Sequence, residues 1–188
     1  MDLFEIEKTP IKDLLVVNTL THKDDRGHFV KTFDSEIFKE YNIPTEFSQI
    51  DLSQSKKGVL RGLHFLNKYP QGKLVNVPYG KIFDVAVDLR RKSPTYGEWY
   101  GLELSNENNK MFYIPPGFAH GFLSLKDDSI ILYHCTTKYY PDNDCGIKWD
   151  DKNINIRWPL SKVENLVIST KDQNWKSLNE TEYTFEEI

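Results

Sequence analysis

From Lys73 to Cys135 the chain repeats one pattern: a short run of alternating or β-branched residues, then a turn signal. Lys73-Leu74-Val75-Asn76-Val77 alternates and meets a turn at Tyr79-Gly80. Ile82 to Leu89 is rich in β-branched and aromatic residues and is followed by Lys92-Ser93-Pro94. Tyr96 to Leu104 alternates again, and Lys110 to Ile114 stops at Pro115-Pro116-Gly117. Gly121 to Leu125 and Ile130 to Cys135 read as a hairpin around Lys126-Asp127-Asp128-Ser129. A period of two belongs to strands, because successive side chains point to opposite faces. Short strands at this spacing predict a β-sandwich or jelly roll. Helical signal is confined to Asp34 to Tyr41, capped by Asp34 or Ser35, and to one turn in the tail beyond Lys162.

The 188 residues suit one domain, expected over 1–188, with a core at about 25–160 and a C-terminal segment 161–188 packing on the barrel. Hydrophobic residues at 39% and aromatics at 13% exceed what a disordered chain carries. With 24 basic and 28 acidic residues the net charge is −4, which argues against a nucleic-acid partner. No apolar run approaches the roughly 18 residues of a membrane span. The opening Met1-Asp2-Leu3-Phe4-Glu5 lacks the basic and apolar regions of a signal peptide. The chain is therefore expected in the cytoplasm. Two cysteines, Cys135 and Cys145, exclude a disulfide scaffold and a Cys-rich zinc site, and read as buried thiols.

Three segments carry ionisable groups among apolar residues. The first is Gly58 to Phe65, with Arg61 and His64, followed closely by Gln71-Gly72-Lys73. The second is Pro115 to Phe122, with His120; the third is Tyr133 inside an apolar strand. Taken singly, each has an ordinary structural reading: a satisfied histidine, a salt-bridged arginine, a core tyrosine. Together they weigh differently, since a buried charge destabilises unless it is paired or used. A metal centre is disfavoured. His64 stands alone where a metal-binding pattern has His-x-His, and Phe65-Leu66 follows it, so a three-ligand set is not formed.

Val59 to Phe65 (VLRGLHF), Gln71 to Val75 (QGKLV), Phe83 to Arg90 (FDVAVDLR), Ile114 to Leu123 (IPPGFAHGFL) and Gly146 to Trp158 (GIKWDDKNINIRW) resemble the dTDP-4-dehydrorhamnose 3,5-epimerase family. The likeness runs from about Asp24 through Trp175, in order and spacing. It implies a mainly β, cupin-like jelly roll with a few short helices. It also implies a homodimer that works on a nucleotide sugar without metal or organic cofactor. The substrate of such an enzyme carries a ketone at C4, so protons on C3 and C5 can be removed to give an enolate. Return of a proton from the opposite face inverts the carbon. By resemblance His64 is the base, Asp172 the carboxylate that orients it, Lys73 the cation beside the ketone oxygen, and Tyr133 the acid on the other face. The binding residues carried over are Arg26 and Phe29 (in Asp24-Asp25-Arg26-Gly27-His28-Phe29), Gln49, Asp51, Arg61, His120, Tyr139 and Lys171.

The chain departs from the family pattern at the nucleotide end. Lys31 replaces a Glu, Gln49-Ile50-Asp51 replaces Gln-Asp-Asn, and Cys135-Thr136-Thr137-Lys138 replaces Cys-Thr-Asp/Glu. If Lys31 and Asp51 face one pocket, they form a compensating ion pair. The expected function is inversion at C3 and C5 of a nucleotide-activated 4-keto-6-deoxyhexose. The alternatives are a C3-only or C5-only epimerase, a non-catalytic cupin that binds a sugar nucleotide, and a metal-dependent cupin oxygenase.

Overall fold

The alternating runs become strands in a computed structural model of the chain. It describes residues 4–182 and 185–186, so the ends of the expected 1–188 span, residues 1–3 among them, lie outside the described residues. The elements in chain order are β1 (Phe4–Lys8), β2 (Leu15–Thr19), β3 (Thr21–Asp24), β4 (Gly27–Val30), α1 (Ser35–Glu40), β5 (Gln49–Ser55), β6 (Val59–Leu66), β7 (Lys73–Tyr79), β8 (Lys81–Asp88), β9 (Trp99–Ser105), β10 (Lys110–Ile114), β11 (Phe118–Ser124), β12 (Ser129–Cys135), β13 (Asp144–Gly146), β14 (Val167–Ile168) and α2 (Thr170–Gln173). One sheet runs β1-β2-β10-β7-β12-β5 and the other β13-β6-β11-β8-β9, with β14 added parallel to β6. A separate hairpin pairs β3 with β4.

Side-chain parity sorts the core into layers. On β2, Val16 joins one apolar cluster while Leu15 and Val17 join another. Val16, Val75, Phe112 and Ile131 of the first sheet meet Ile82, Ala86 and Phe122 of the second. Burying each larger apolar side chain stabilises the fold by roughly 1.5–3 kcal/mol. The outer face of the first sheet is covered by α1. Asp34 caps that helix by accepting from the Glu36 and Ile37 amides, and Phe38 is fully buried against Phe4. The outer face of the second sheet is covered by the chain after β13, through Ile147, Ile154, Trp158 and Leu178.

One expectation needs correction. Gly121 to Leu125 and Ile130 to Cys135 do not form a hairpin: β11 lies in the second sheet between β6 and β8, whereas β12 lies in the first between β7 and β5. The Lys126 to Ser129 turn instead crosses between layers. Each strand already has two ladder partners, which is why both are apolar on nearly every residue. Leu14, Val16 and Val17 are almost fully buried, with β2 inside its sheet and β1 at the edge.

Candidate active site

The alternation that builds the core also aims the chemistry. Ala119 packs on the outer layer and Phe118 and Phe122 on the inner one, so His120 points inward. Leu63 and Phe65 pack outside, which turns His64 inward, and Val75 does the same for Lys73. His64 and His120 are direct cross-strand partners, as are Asp51 and Tyr133. Glycine allows the closest approach. A Cβ on Gly62, which has φ of +113°, would meet the Gly121 Cα at 2.6 Å and the His120 carbonyl at 2.7 Å. The backbones of β6 and β11 therefore lie tightly together beside the two histidines.

These side chains line one cavity of about 320 Å³, which includes His64, Lys73, His120 and Tyr133 together with Arg61, Asp51 and Tyr139. His64 and His120 come from the second sheet, Lys73 and Tyr133 from the first. The walls thus offer titratable groups from opposite sides.

His64 Nε2 is 2.7 Å from Asp172 Oδ1. The carboxylate can only accept, so Nε2 carries the proton and Nδ1 keeps the basic lone pair. Asp172 is held by α2, whose Ser169 cap accepts from the Asp172 amide. Burial pushes its carboxyl up. Hydrogen bonds from His64, the Gly62 amide and Trp175 Nε1 outweigh that and hold it below the usual carboxylate range. A second pair lies deeper: His120 Nε2 is 2.8 Å from Asp84 Oδ1, with His120 5% exposed and Asp84 0%. Burial lowers the His120 pKa despite the adjacent carboxylate, so this imidazole is neutral at neutral pH.

Burial also lowers the Lys73 pKa, opposed by surrounding negative groups. The Tyr133 hydroxyl is 2.9 Å from Ser53 Oγ, and burial raises its pKa strongly, so it stays a proton donor at neutral pH. Cys135 faces the same cavity, with its thiol pushed up to about 11 by burial, and is therefore un-ionised. At the mouth, Gln49 donates to Asp51 at 2.6 Å and accepts from the Tyr139 amide. Asp144 accepts from the Tyr139 hydroxyl and from Lys171 Nζ. Arg61 donates to Ser55 Oγ and the Gln54 carbonyl at the cavity wall.

Not every expected binding residue joins them. Arg26 forms an ion pair with Asp24 on the β3–β4 hairpin, with its side chain 91% exposed, and Phe29 is 65% exposed. Neither lines the cavity of its own chain. The expected Lys31–Asp51 ion pair is not formed: Lys31 bonds Asp34, the cap of α1, at 3.1 Å, while Asp51 is engaged by Gln49. The nearest charge decides, and Asp34 lies only three residues along the chain from Lys31. Sequence reasoning missed Asp84, Asp144 and Ser53. An acid inside the apolar run Phe83 to Leu89 was the available signal for Asp84, because a charge there must be paired.

A profile of the dTDP-4-dehydrorhamnose 3,5-epimerase family matches residues 8–180. A dTDP-4-dehydrorhamnose 3,5-epimerase from Methanothermobacter thermautotrophicus is 52% identical over 177 residues, covering 94% of this chain and 96% of that one. A crystal structure of dTDP-6-deoxy-D-glucose-3,5-epimerase from Legionella pneumophila in complex with dTDP-4-keto-L-rhamnose superposes with a TM-score of 0.93. It is 40% identical and covers 98% of this chain and 100% of that one. A 3'-monoepimerase from Streptomyces bikiniensis in complex with dTDP-quinovose gives a TM-score of 0.83 at 29% identity, over 91% and 86% of the two chains.

Proposed function

The chain belongs to the dTDP-4-dehydrorhamnose 3,5-epimerase family, and on that premise we propose how its cupin-like sandwich carries out the reaction. The enzyme inverts C3 and C5 of dTDP-4-keto-6-deoxyglucose to give dTDP-4-keto-rhamnose. The C4 ketone acidifies both neighbouring C–H bonds. His64 Nδ1 removes a proton, and Asp172 stabilises the imidazolium that results. The electron pair moves onto the C4 oxygen, where the Lys73 ammonium balances it. Tyr133, on the facing sheet, returns a proton to the opposite face of the carbon. Carbon–hydrogen bonds break and re-form with no change of oxidation state, so the reaction as written uses no electron carrier. The observation that carries this reading is the cavity itself: the histidine of a His–Asp dyad on one sheet faces a phenol and a lysine on the other.

Arg61, His120, Gln49, Asp51, Tyr139 and Lys171 serve the nucleotide and sugar from the wall and mouth. Arg26 and Phe29 are exposed and do not line their own cavity, and Ile50 and Leu52 stand 58% and 63% exposed on the edge strand β5. These features support a homodimer in which the hairpin of one protomer reaches the cavity of its partner. An apolar edge is protected when a second copy covers it. None of the described helices is long and apolar enough to cross a membrane. Cys135 and Cys145 are free thiols, which suits the reducing cytoplasm.

The deciding experiment follows dTDP-4-keto-6-deoxyglucose by NMR in deuterated water. Deuterium at both C3 and C5 of an inverted product is expected. Uptake and inversion at one carbon would make the enzyme a monoepimerase, and no uptake would leave a sugar-nucleotide binder.

A further inference from the structure

Trp175 takes no part in the proton transfers above and lines no part of the cavity that holds them. It nevertheless touches both members of the dyad. Its indole Nε1 donates to Asp172 Oδ1 at 3.3 Å, the oxygen that also accepts from His64 Nε2. Its ring meets the His64 imidazole edge to face, with centroids 6.3 Å apart. The Lys171 ammonium stands over the same indole, 5.4 Å from its centroid.

The fold reserves room for this side chain. Gly146 on β13 is the cross-strand partner of His64, so a side chain at 146 would stand on the His64 face. A Cβ there would fall on the Trp175 ring, 2.6 Å from Cδ2 and closer still to Cε2 and Nε1. Gly146 is not one of the glycines with positive φ, so space and not backbone conformation excludes a larger residue. Behind the indole lies a second cavity of about 320 Å³, lined by Cys145, Gly146, Asn174 and Trp175 among others. Asp172 lines neither cavity and is 3% exposed. Trp175 thus separates the carboxylate from that recess.

We propose that Trp175 is a positioning residue for the epimerisation: its indole N–H fixes the Asp172 carboxylate in the plane that holds His64 for proton abstraction. This rests on the dyad role given to His64 and Asp172 above.

The torsion that turns a carboxylate about its Cβ–Cγ bond is soft, so hydrogen bonds and not rotamer preference set its plane. His64 cannot fix that plane alone, because its ring is the group that must be aimed. The two further donors are the Gly62 amide on Oδ2 and Trp175 on Oδ1. One comes from β6 and the other from the chain just beyond α2, so two separate elements grip the carboxylate. The titratable neighbours of Asp172 among the described residues are His64 on β6 and Lys171 on α2. Lys171 is already matched by Asp144. The Trp175 bond favours the charged carboxylate, as the bonds from His64 and Gly62 do.

The test is Trp175→Phe, which keeps an aromatic ring for packing and for Lys171 but removes the donor. kcat is expected to fall by about 3–10-fold, the worth of one hydrogen bond, while KM stays within about twofold. The Asp172 midpoint, read by 13C NMR of its carboxyl and assigned with Asp172→Ala, should rise, since a donor to the charged form is gone. Trp175→Leu removes the ring as well, so KM should rise in that variant too. In an Asp172→Ala background, Trp175→Phe should cost about twofold at most, because the group it acts through is absent. If Trp175→Phe does not fold, Gly146→Ala displaces the indole with Trp175 still in the chain and should give the same kcat loss and the same rise. Wild-type kcat or an unmoved Asp172 midpoint in the folded variant would overturn the proposal, as would the full kcat loss in the Asp172→Ala background. Normal turnover by Asp172→Ala alone would overturn the dyad role itself, and a raised Asp172 midpoint in Trp175→Phe would still show that the indole holds the carboxylate.

Discussion

The molecule holds two His–Asp pairs side by side, and only one is built to change charge. His64 and His120 face each other across β6 and β11, and each gives Nε2 to its own aspartate. The His64 side chain is 32% exposed and its aspartate comes from a short helix near the end of the chain. His120 is 5% exposed and its aspartate is 0% exposed on a central strand. The same donor and acceptor thus have opposite tasks. Where the cavity admits solvent and substrate, an imidazolium can form beside a carboxylate that is stabilised by three donors. Where packing excludes both, burial keeps the imidazole neutral and the pair is held as a fixed internal contact. Chemistry at a site is set by depth as much as by residue identity.

The largest effect that sharpens this contrast is loss of the base. His64→Asn is expected to lower epimerisation by roughly 10²–10⁴-fold or more, with dTDP affinity within a few-fold. His120→Asn should cost less, since its imidazole is not the proton carrier. Equal losses in deuterium exchange for the two variants would erase the distinction. Next comes Tyr133→Phe, which removes only the hydroxyl that faces Ser53. Solvent exchange at C3 and C5 should continue from the His64 side while inversion falters, read by product NMR. Normal inversion at both carbons would move the acid elsewhere.

A smaller effect concerns stability. The folded His120 pKa lies below the unfolded value of about 6.5, so below that pH the unfolded chain binds the extra proton more readily. Stability should therefore fall as the pH drops below about 6.5, and thermal melts of His120→Gln should show a weaker acid dependence in that window. A wild-type melt independent of pH between 5 and 7 would contradict the buried, neutral reading. The smallest effect is at Lys31. Its partner is Asp34 and not Asp51, so a double-mutant cycle of Lys31→Glu with Asp51→Asn on dTDP affinity should be additive. A coupling beyond error would mean that the two positions meet when ligand is bound.

Much of the sandwich was legible in the chain because strand parity is written there directly. The run Lys110 to Ile114 is β10 as expected, and Asp34 caps a helix over Ser35–Glu40. The apolar surroundings of His64, Lys73, His120 and Tyr133 placed them on inward faces, and they do share a cavity. What was not legible depends on which strand lies beside which. β11 and β12 are joined by a short turn and look like a hairpin, but they enter different sheets. The strand β5 carries Gln, Asp and Ser among its apolar residues and did not stand out as a strand. Asp84 was hidden inside a run that reads as core, and no local pattern records that its partner is His120 on another strand. The exposed positions of Arg26 and Phe29 depend on the hairpin's path, which no local pattern records.

The bond between His64 and Asp172 joins residues 108 positions apart. That separation imposes an order of events during synthesis. The strand that carries the base emerges early, but its imidazole has no carboxylate partner until β14 has docked along β6 and α2 has formed behind it. A nascent chain halted before Asp172 holds most of the sandwich strands and a nearly complete cavity wall, yet its base is unoriented. Competence to move protons therefore arrives only after all the strands that line the cavity have been made.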